Sequence, residues 1–261
     1  ESGEARALLS RDRLSRGDLG RIVSLGLAGQ MVEREVTAIF STLMVLALIF
    51  CLFPFVAFPA FFASFLLLRT ASALANHLLA RATARALREG APIARHLRNL
   101  TIGVGVAGFL WGAMLWPFPG VAEIDPTTFL LVLIALIAVC MLAVTTAQHR
   151  PTLLAALFGN ALAIAPKILN ESSSLGYPAL TAYMSFLAVL FFFGRRIESQ
   201  ARRMVILQLR NRRMARRLEI ANRSLGRALI KAEDLAHRDV LTGLSNRRAF
   251  VRDLSRLRQS K

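Results

Sequence analysis

Arg69 is the side chain in this sequence best placed to do chemistry, because it interrupts an otherwise apolar run. A guanidinium among hydrocarbon side chains is costly, and it persists where it faces an interior, a partner or a ligand. Its planar fork of donors can hold a carboxylate or phosphate bidentately, so Arg69 could anchor the acidic head of a fatty acid or other lipid signal. It could equally form a structural pair with an acid or a carbonyl, or snorkel to an interface. Asn76 and His77 follow about two helical turns later. His77 and His149 form a second constellation, near the same end of two apolar blocks. Two histidines on facing helices could supply axial nitrogens to a haem, with Arg69 or Arg150 on its propionates. They could instead be an interfacial pair bonded to backbone or water. Two ligands fall short of a tetrahedral zinc site, so no metal centre is expected. Ligand-binding candidates are therefore Arg69, Asn76, His77 and His149, with haem the one cofactor they suggest.

The elements that must position these residues follow from composition. The 261 residues are 55% hydrophobic and 19% charged, with a net charge of +17. A soluble domain carries nearer about 25% charged residues, interspersed with apolar ones; here the apolar residues come in blocks. Abundant leucine, valine and phenylalanine also exclude a disordered chain. Nineteen of the 33 Lys and Arg lie after residue 194, and most of the rest lie in 1–35 and 81–99, between apolar blocks. That distribution is one of membrane topology, and no nucleic-acid partner is expected.

A membrane-spanning helix needs about 20 largely apolar residues. Six blocks qualify: 36–53, 56–79, 100–116, 128–147, 152–169 and 177–194, with a tight turn at Pro54 and Pro59. Arg81, Arg85, Arg88, Arg95 and Arg98 fill one loop, Arg150 lies in another, and Arg195 and Arg196 follow the sixth block. Glu123, Asp125 and Glu171 mark the opposite side. The positive-inside rule then makes both termini cytoplasmic. Trp111, Trp116, Phe118 and Tyr177 fit an interfacial aromatic belt on the outer side. Residues 1–35 read as a cytoplasmic segment in which Leu19, Ile22, Val23, Leu25 and Leu27 make an amphipathic helix on the inner surface. Cys51 and Cys140 fall at opposite depths, so they are expected as two buried thiols with no disulfide. Within the spans Thr145, Thr146, Gln148 and Asn160 can hydrogen-bond between helices. Gly103, Gly105 and Gly108 allow close helix contact, and Lys167 can snorkel outward.

Past residue 194 the pattern becomes heptad. The a positions are Ile197, Met204, Asn211, Leu218, Leu225 and Ala232; the d positions are Gln200, Leu207, Met214, Ala221, Ala228 and Leu235. More than five heptads predict a parallel dimeric coiled coil over 195–236, with the lone a-position Asn211 fixing register. The alternative is a basic amphipathic helix on anionic lipid, given the seven arginines between Arg202 and Arg217.

Residues 236–250 read Ala-His-Arg-Asp-Val-Leu-Thr-Gly-Leu-Ser-Asn-Arg-Arg-Ala-Phe. This resembles the opening of a GGDEF domain, D-x-L-T-G-L-x-N-R-R-x-F, at Asp239, Leu241, Thr242, Gly243, Leu244, Asn246, Arg247, Arg248 and Phe250. The resemblance implies a diguanylate cyclase, which joins two GTP molecules into cyclic di-GMP with metal ions (Mg) assisting, one GTP per facing subunit. It covers only 237–261. The family's active site is expected beyond Lys261, so no catalytic residue carries over and this stretch alone is expected to be inactive. Asp239, Arg247 and Arg248 are expected to form a structural latch at the start of that domain. The six-span block is similar, in general design only, to the MASE-type membrane sensors that precede such cyclases.

The fold class expected is thus an all-α membrane protein. A six-transmembrane-helix bundle (36–194) is followed by a parallel dimeric coiled coil and the first residues of an α/β GGDEF domain. The expected function is a sensor in a bacterial inner membrane that relays a membrane or periplasmic cue to cyclic di-GMP synthesis. Its expected partners are a second copy, membrane lipid and a small-molecule or lipid ligand. The competing class is a haem-binding or transporter-like membrane protein with a signalling tail, although no three-plus-three internal repeat supports a transporter.

Overall fold

A computed structural model describes residues 16–52, 55, 56, 58–117, 126–170, 176–237 and 251. Six α-helices account for almost all of them: α1 Arg16–Cys51, α2 Pro59–Glu89, α3 Ala94–Ala113, α4 Pro126–Thr146, α5 Arg150–Leu169 and α6 Gly176–His237. There is no strand among the described residues. By length and composition α1, α2, α4, α5 and α6 can each cross a membrane. α3 falls below that standard of apolarity because Arg95, His96, Arg98 and Asn99 occupy its first turns.

The helix ends follow from local chemistry. Pro59 opens α2 where a missing N–H costs nothing. Gly90 closes it in the left-handed region (φ 73°), its N–H bonded to the Ala86 carbonyl, a conformation that needs no Cβ. Pro151 sits in the first turn of α5, while the Thr152 and Leu153 amides bond the His149 carbonyl at 3.0 and 3.1 Å. α1 runs without a break across the boundary expected near residue 35. Glu33, Arg34 and Glu35 interrupt the hydropathy there, but Glu and Arg are good helix formers.

The chain divides into two units, Glu1–Val205 and Ile206–Lys261. In the first, α3 packs most extensively on α5, α2 lies against α1 and α3, and α4 against α1 and α5. One core cluster gathers Phe62, Phe65, Trp111, Met114, Leu131 and Ile134; a second gathers Met31, Val32, Ala80, Leu87, Leu100, Val104 and Ala156. Ile22, Val23 and Leu27 are buried in the protein, so this face of the expected surface helix meets protein. The outer surface is apolar instead, with Phe40, Leu67, Phe129, Phe158 and Phe192 all exposed. Small and polar groups are inside: Thr83, Thr146, Thr152 and Asn160 are nearly fully buried. That inversion suits a lipid-facing exterior, where close approach and interhelical hydrogen bonds take over from apolar burial. Cys51 is exposed and Cys140 half-buried, both free, so Cys51 is not the buried thiol expected.

The described part of the second unit is helical from Ile206 to His237, and its side chains from Arg210 to Ala232 are exposed. Glu219 and Arg223 pair along it. Leu207, Met214, Leu218 and Leu225, all a or d residues, are exposed, with Asn211 exposed among them. Asp239, Arg247 and Arg248 lie outside the described residues, as does the rest of the 239–250 motif.

Candidate functional site

Arg69 sits ten residues into α2, about 15 Å along the helix from Pro59 and about 18 Å from Arg81. It is 3% exposed, so it does not snorkel. Its guanidinium carbon lies 4.9 Å from the centroid of the Trp111 ring on α3. A desolvated cation over an indole face gains about 2 kcal/mol. Trp111 is itself buried, its ring tilted against that of Phe65 at 6.0 Å between centroids, so it lies in the core and not in the expected aromatic belt. Trp116 and Tyr177 are exposed, as that belt requires.

Facing Arg69 from α1 is Glu35, also buried. The two charges attract one another, yet Arg69 Nε, Arg69 Nη1 and Glu35 Oε1 have no hydrogen-bond partner among the described residues. Both side chains line a cavity of about 160 Å³ between α1, α2, α3 and α4. Asn76 and His77 line the same cavity and are held as parts of its wall. Asn76 donates from Nδ2 to the Gly103 carbonyl at 3.2 Å, and His77 Nδ1 lies 3.1 Å from the Val36 carbonyl. A carbonyl only accepts, so Nδ1 carries the proton and Nε2 stays free to accept.

His149 stands elsewhere. It lines a second cavity, of about 480 Å³, with Ser24, Gln148, Arg150, Arg195, Glu198 and Arg202. Its Nδ1 is 2.7 Å from the Thr152 hydroxyl, which in turn lies 2.8 Å from the Thr101 hydroxyl of α3. Burial pushes this imidazole below its ordinary value, and the Glu198 charge pulls partly back. The structure thus brings together Arg69, Asn76 and His77 of the sequence candidates, and sets His149 at a different cavity.

Among the described residues the other buried polar side chains are bonded, except at His96 Nδ1 and Gln148 Oε1. Asn160 on α5 donates to the Gly108 carbonyl at 3.1 Å and accepts the Tyr183 hydroxyl at 2.7 Å. Trp116 Nε1 donates to the Ala163 carbonyl at 2.8 Å. Lys167 does not simply reach outward: its Nζ donates to the Leu115 and Trp116 carbonyls at 2.7 and 3.1 Å, closing the end of α3. α3 and α5 approach so closely that a Cβ on Gly108 or Gly159 would collide with the other helix's backbone. Small residues and hydrogen bonds lock that pair.

The residues that sequence reasoning missed are Glu35 and Trp111. Glu35 carries a signal in its register, since Ala28, Met31, Val32 and Leu46 share its buried helical stripe. No group of three or more His, Cys, Asp or Glu able to hold a metal ion occurs among the described residues. Comparison with protein families, with curated proteins and with solved structures finds no match for this chain.

Proposed function

We propose that this chain is the membrane sensor and signal-relay region of a diguanylate cyclase. A cue received in the helical bundle alters the pairing of α6 between two copies, and so alters cyclic di-GMP synthesis from GTP by the domain that the 239–250 motif begins. The observation that carries the reading is α6 itself, one unbroken helix from Gly176 to His237 that leads from an apolar span to the start of that motif. A rod of that kind transmits rotation or a register shift, which a flexible linker absorbs. Exposed Leu207, Met214, Leu218 and Leu225 offer the seam of a parallel dimer, and Asn211 its register-setting polar position. The arginine-rich loops orient both termini to the cytoplasm of a bacterial inner membrane, where GTP is at hand.

The test is cyclic di-GMP output from a protein in which this chain precedes an intact cyclase domain. Asn211→Leu stabilises competing registers, so basal output should change and its response to stimulus weaken. Unchanged output together with an unchanged cross-linked dimer would remove the relay from consideration.

A further inference from the structure

The cavity between α1, α2, α3 and α4 holds a charge arrangement that the bundle alone leaves incomplete. Arg69 presents nitrogens without an acceptor, and Glu35 presents an oxygen without a donor. Both belong to residues more than nine-tenths buried. Unmet polar groups in a membrane interior are costly enough that something must complete them. Asn76 and His77, the other polar walls of α2, each donate to a backbone carbonyl, and Thr145 of α4 already bonds the Glu35 carboxylate while leaving Oε1 open. Whatever completes the site therefore offers an acceptor to Arg69 and a donor to Glu35.

The far wall indicates where it comes from. Met44 of α1 and Ile137 and Met141 of α4 line the cavity and are 71%, 49% and 46% exposed. On an apolar exterior those residues meet acyl chains, so the cavity opens sideways into the bilayer between α1 and α4. Its volume of about 160 Å³ corresponds to about five water molecules, room for a small head and the first carbons of a tail. Methionine side chains adapt to a flexible chain passing between them.

We propose that this cavity binds the carboxylic-acid head of a fatty acid, its C=O accepting from Arg69 and its O–H donating to Glu35. The tail leaves between Met44 and Met141. A neutral carboxyl supplies one acceptor and one donor on a single carbon and enters from hydrocarbon without carrying a charge. A phosphate head brings added negative charge against Glu35, and an ester has no donor for it. This assignment names the cue of the sensor reading and rests on it.

The experiment uses the whole chain in lipid nanodiscs with Trp116→Phe, which leaves Trp111 as the sole tryptophan. A fatty acid brominated in mid-chain is titrated while Trp111 fluorescence is followed, then its methyl ester. The acid should quench saturably, at least tenfold more tightly than the ester, and Arg69→Gln should erase that difference. Should that variant not fold, the head-group comparison on the unsubstituted site decides alone. Equal quenching by acid and ester, or quenching that never saturates, overturns the proposal. Selective, saturable binding that leaves cyclic di-GMP output unchanged upholds the ligand and overturns the sensor reading instead.

Discussion

Adding one methyl group at Gly159 tests the closest contact in the bundle. A Cβ built there would lie 3.0 Å from the Gly105 carbonyl carbon and 3.1 Å from the Phe109 nitrogen, and nearer still to the Gly105 oxygen. Carbon needs about 3.5–4.0 Å from such neighbours, so Gly159→Ala forces α3 and α5 apart by about 1 Å. The obstacle is backbone, which cannot rotate aside as a side chain would. The overpacking cost therefore belongs at the upper end of its range, about 3 kcal/mol. Replacing glycine by alanine inside a helix returns about 1 kcal/mol, leaving a net loss of about 2 kcal/mol. For a chain of this size that lowers the melting temperature by about 4–8 °C. Gly29→Ala is the matched control, because nothing lies within 4 Å of its Cβ position. It keeps the propensity gain and should raise the melting temperature by about 2–4 °C. Thermal unfolding of the detergent-solubilised variants, followed by intrinsic fluorescence, reads both. A Gly159→Ala protein that melts with or above the unsubstituted one refutes the backbone-close seam.

Three further outcomes follow from the polar contacts. Tyr183→Phe removes one hydroxyl bond to Asn160 and should cost about 1 kcal/mol, whereas Asn160→Leu strands the Tyr183 hydroxyl and the Gly108 carbonyl and should cost about 2–3 kcal/mol; a double variant whose loss equals the sum of the two would refute the linkage. Lys167→Met strands two carbonyls at the end of α3 and should cost about 1–2 kcal/mol, and Lys167→Arg should keep most of the stability. If both melt alike, the cap is not formed. His149 is held below its ordinary value by burial, so its neutral form is the one that favours folding. Stability should be full above the ordinary value of about 6.5 and fall as pH drops through it, as protonation drives the imidazole toward the unfolded chain. Glu198, Arg150, Arg195 and Arg202 face the same cavity. His149→Gln should flatten the slope between melts at pH 7.5 and 5.5, and an unaltered slope would assign it to other groups.

Much of the helical framework was legible because it rests on one-dimensional signals. The apolar blocks give α4, α5 and the start of α6 to within about two residues, and Pro59 marks the start of α2. α2 then runs on as helix to Glu89 through Arg81, Arg85 and Arg88, the stretch expected as a loop. α1 was harder, since charge at residues 33–35 looks like the edge of a membrane span although those residues extend a helix readily. Site residues divided in the same way. Arg69 stands out in any hydropathy reading, and Asn76 and His77 lie at helical spacing from it. The Glu35 contribution depends on which face of α1 meets α2, and that of Trp111 on which face of α3 meets Arg69. The register of Glu35 places it on the apolar stripe of α1, but which helices meet there is a tertiary fact that no local pattern encodes. Lys167 misled for a related reason: snorkelling and capping use the same reach, and only the position of the α3 carbonyls separates them.

The α3–α5 seam carries most of the bonded polar groups of this bundle, and the Glu35–Arg69 pair carries three of the five buried polar atoms without a partner among the described residues, the others being His96 Nδ1 and Gln148 Oε1. Asn160, Thr152, Trp116 and Lys167 all bond across or onto the α3–α5 seam, where small residues already bring backbones together. Glu35 and Arg69 lie on the other side, between α1 and α2, with Glu35 Oε1 and Arg69 Nε and Nη1 unpartnered. A ligand shifts a conformational equilibrium only by its differential affinity for the two states, so the half whose contacts are incomplete is the half a ligand can bias. α1 also reaches α6. Gly26 lies nine residues before Glu35, about 14 Å along the same helix, and a Cβ there would sit 3.4 Å from Val205 of α6. On the proposed sensor reading, a shift of α1 at Glu35 would reach α6 at Val205, with the α3–α5 pair as the frame it moves against. At a hundredfold excess over its dissociation constant, a ligand exclusive to one state contributes about 2.7 kcal/mol. That is about half of what a shift from 1:99 to 99:1 requires. On the same reading one occupied cavity would grade the output, and two cavities coupled through a paired α6 would be needed to approach a switch.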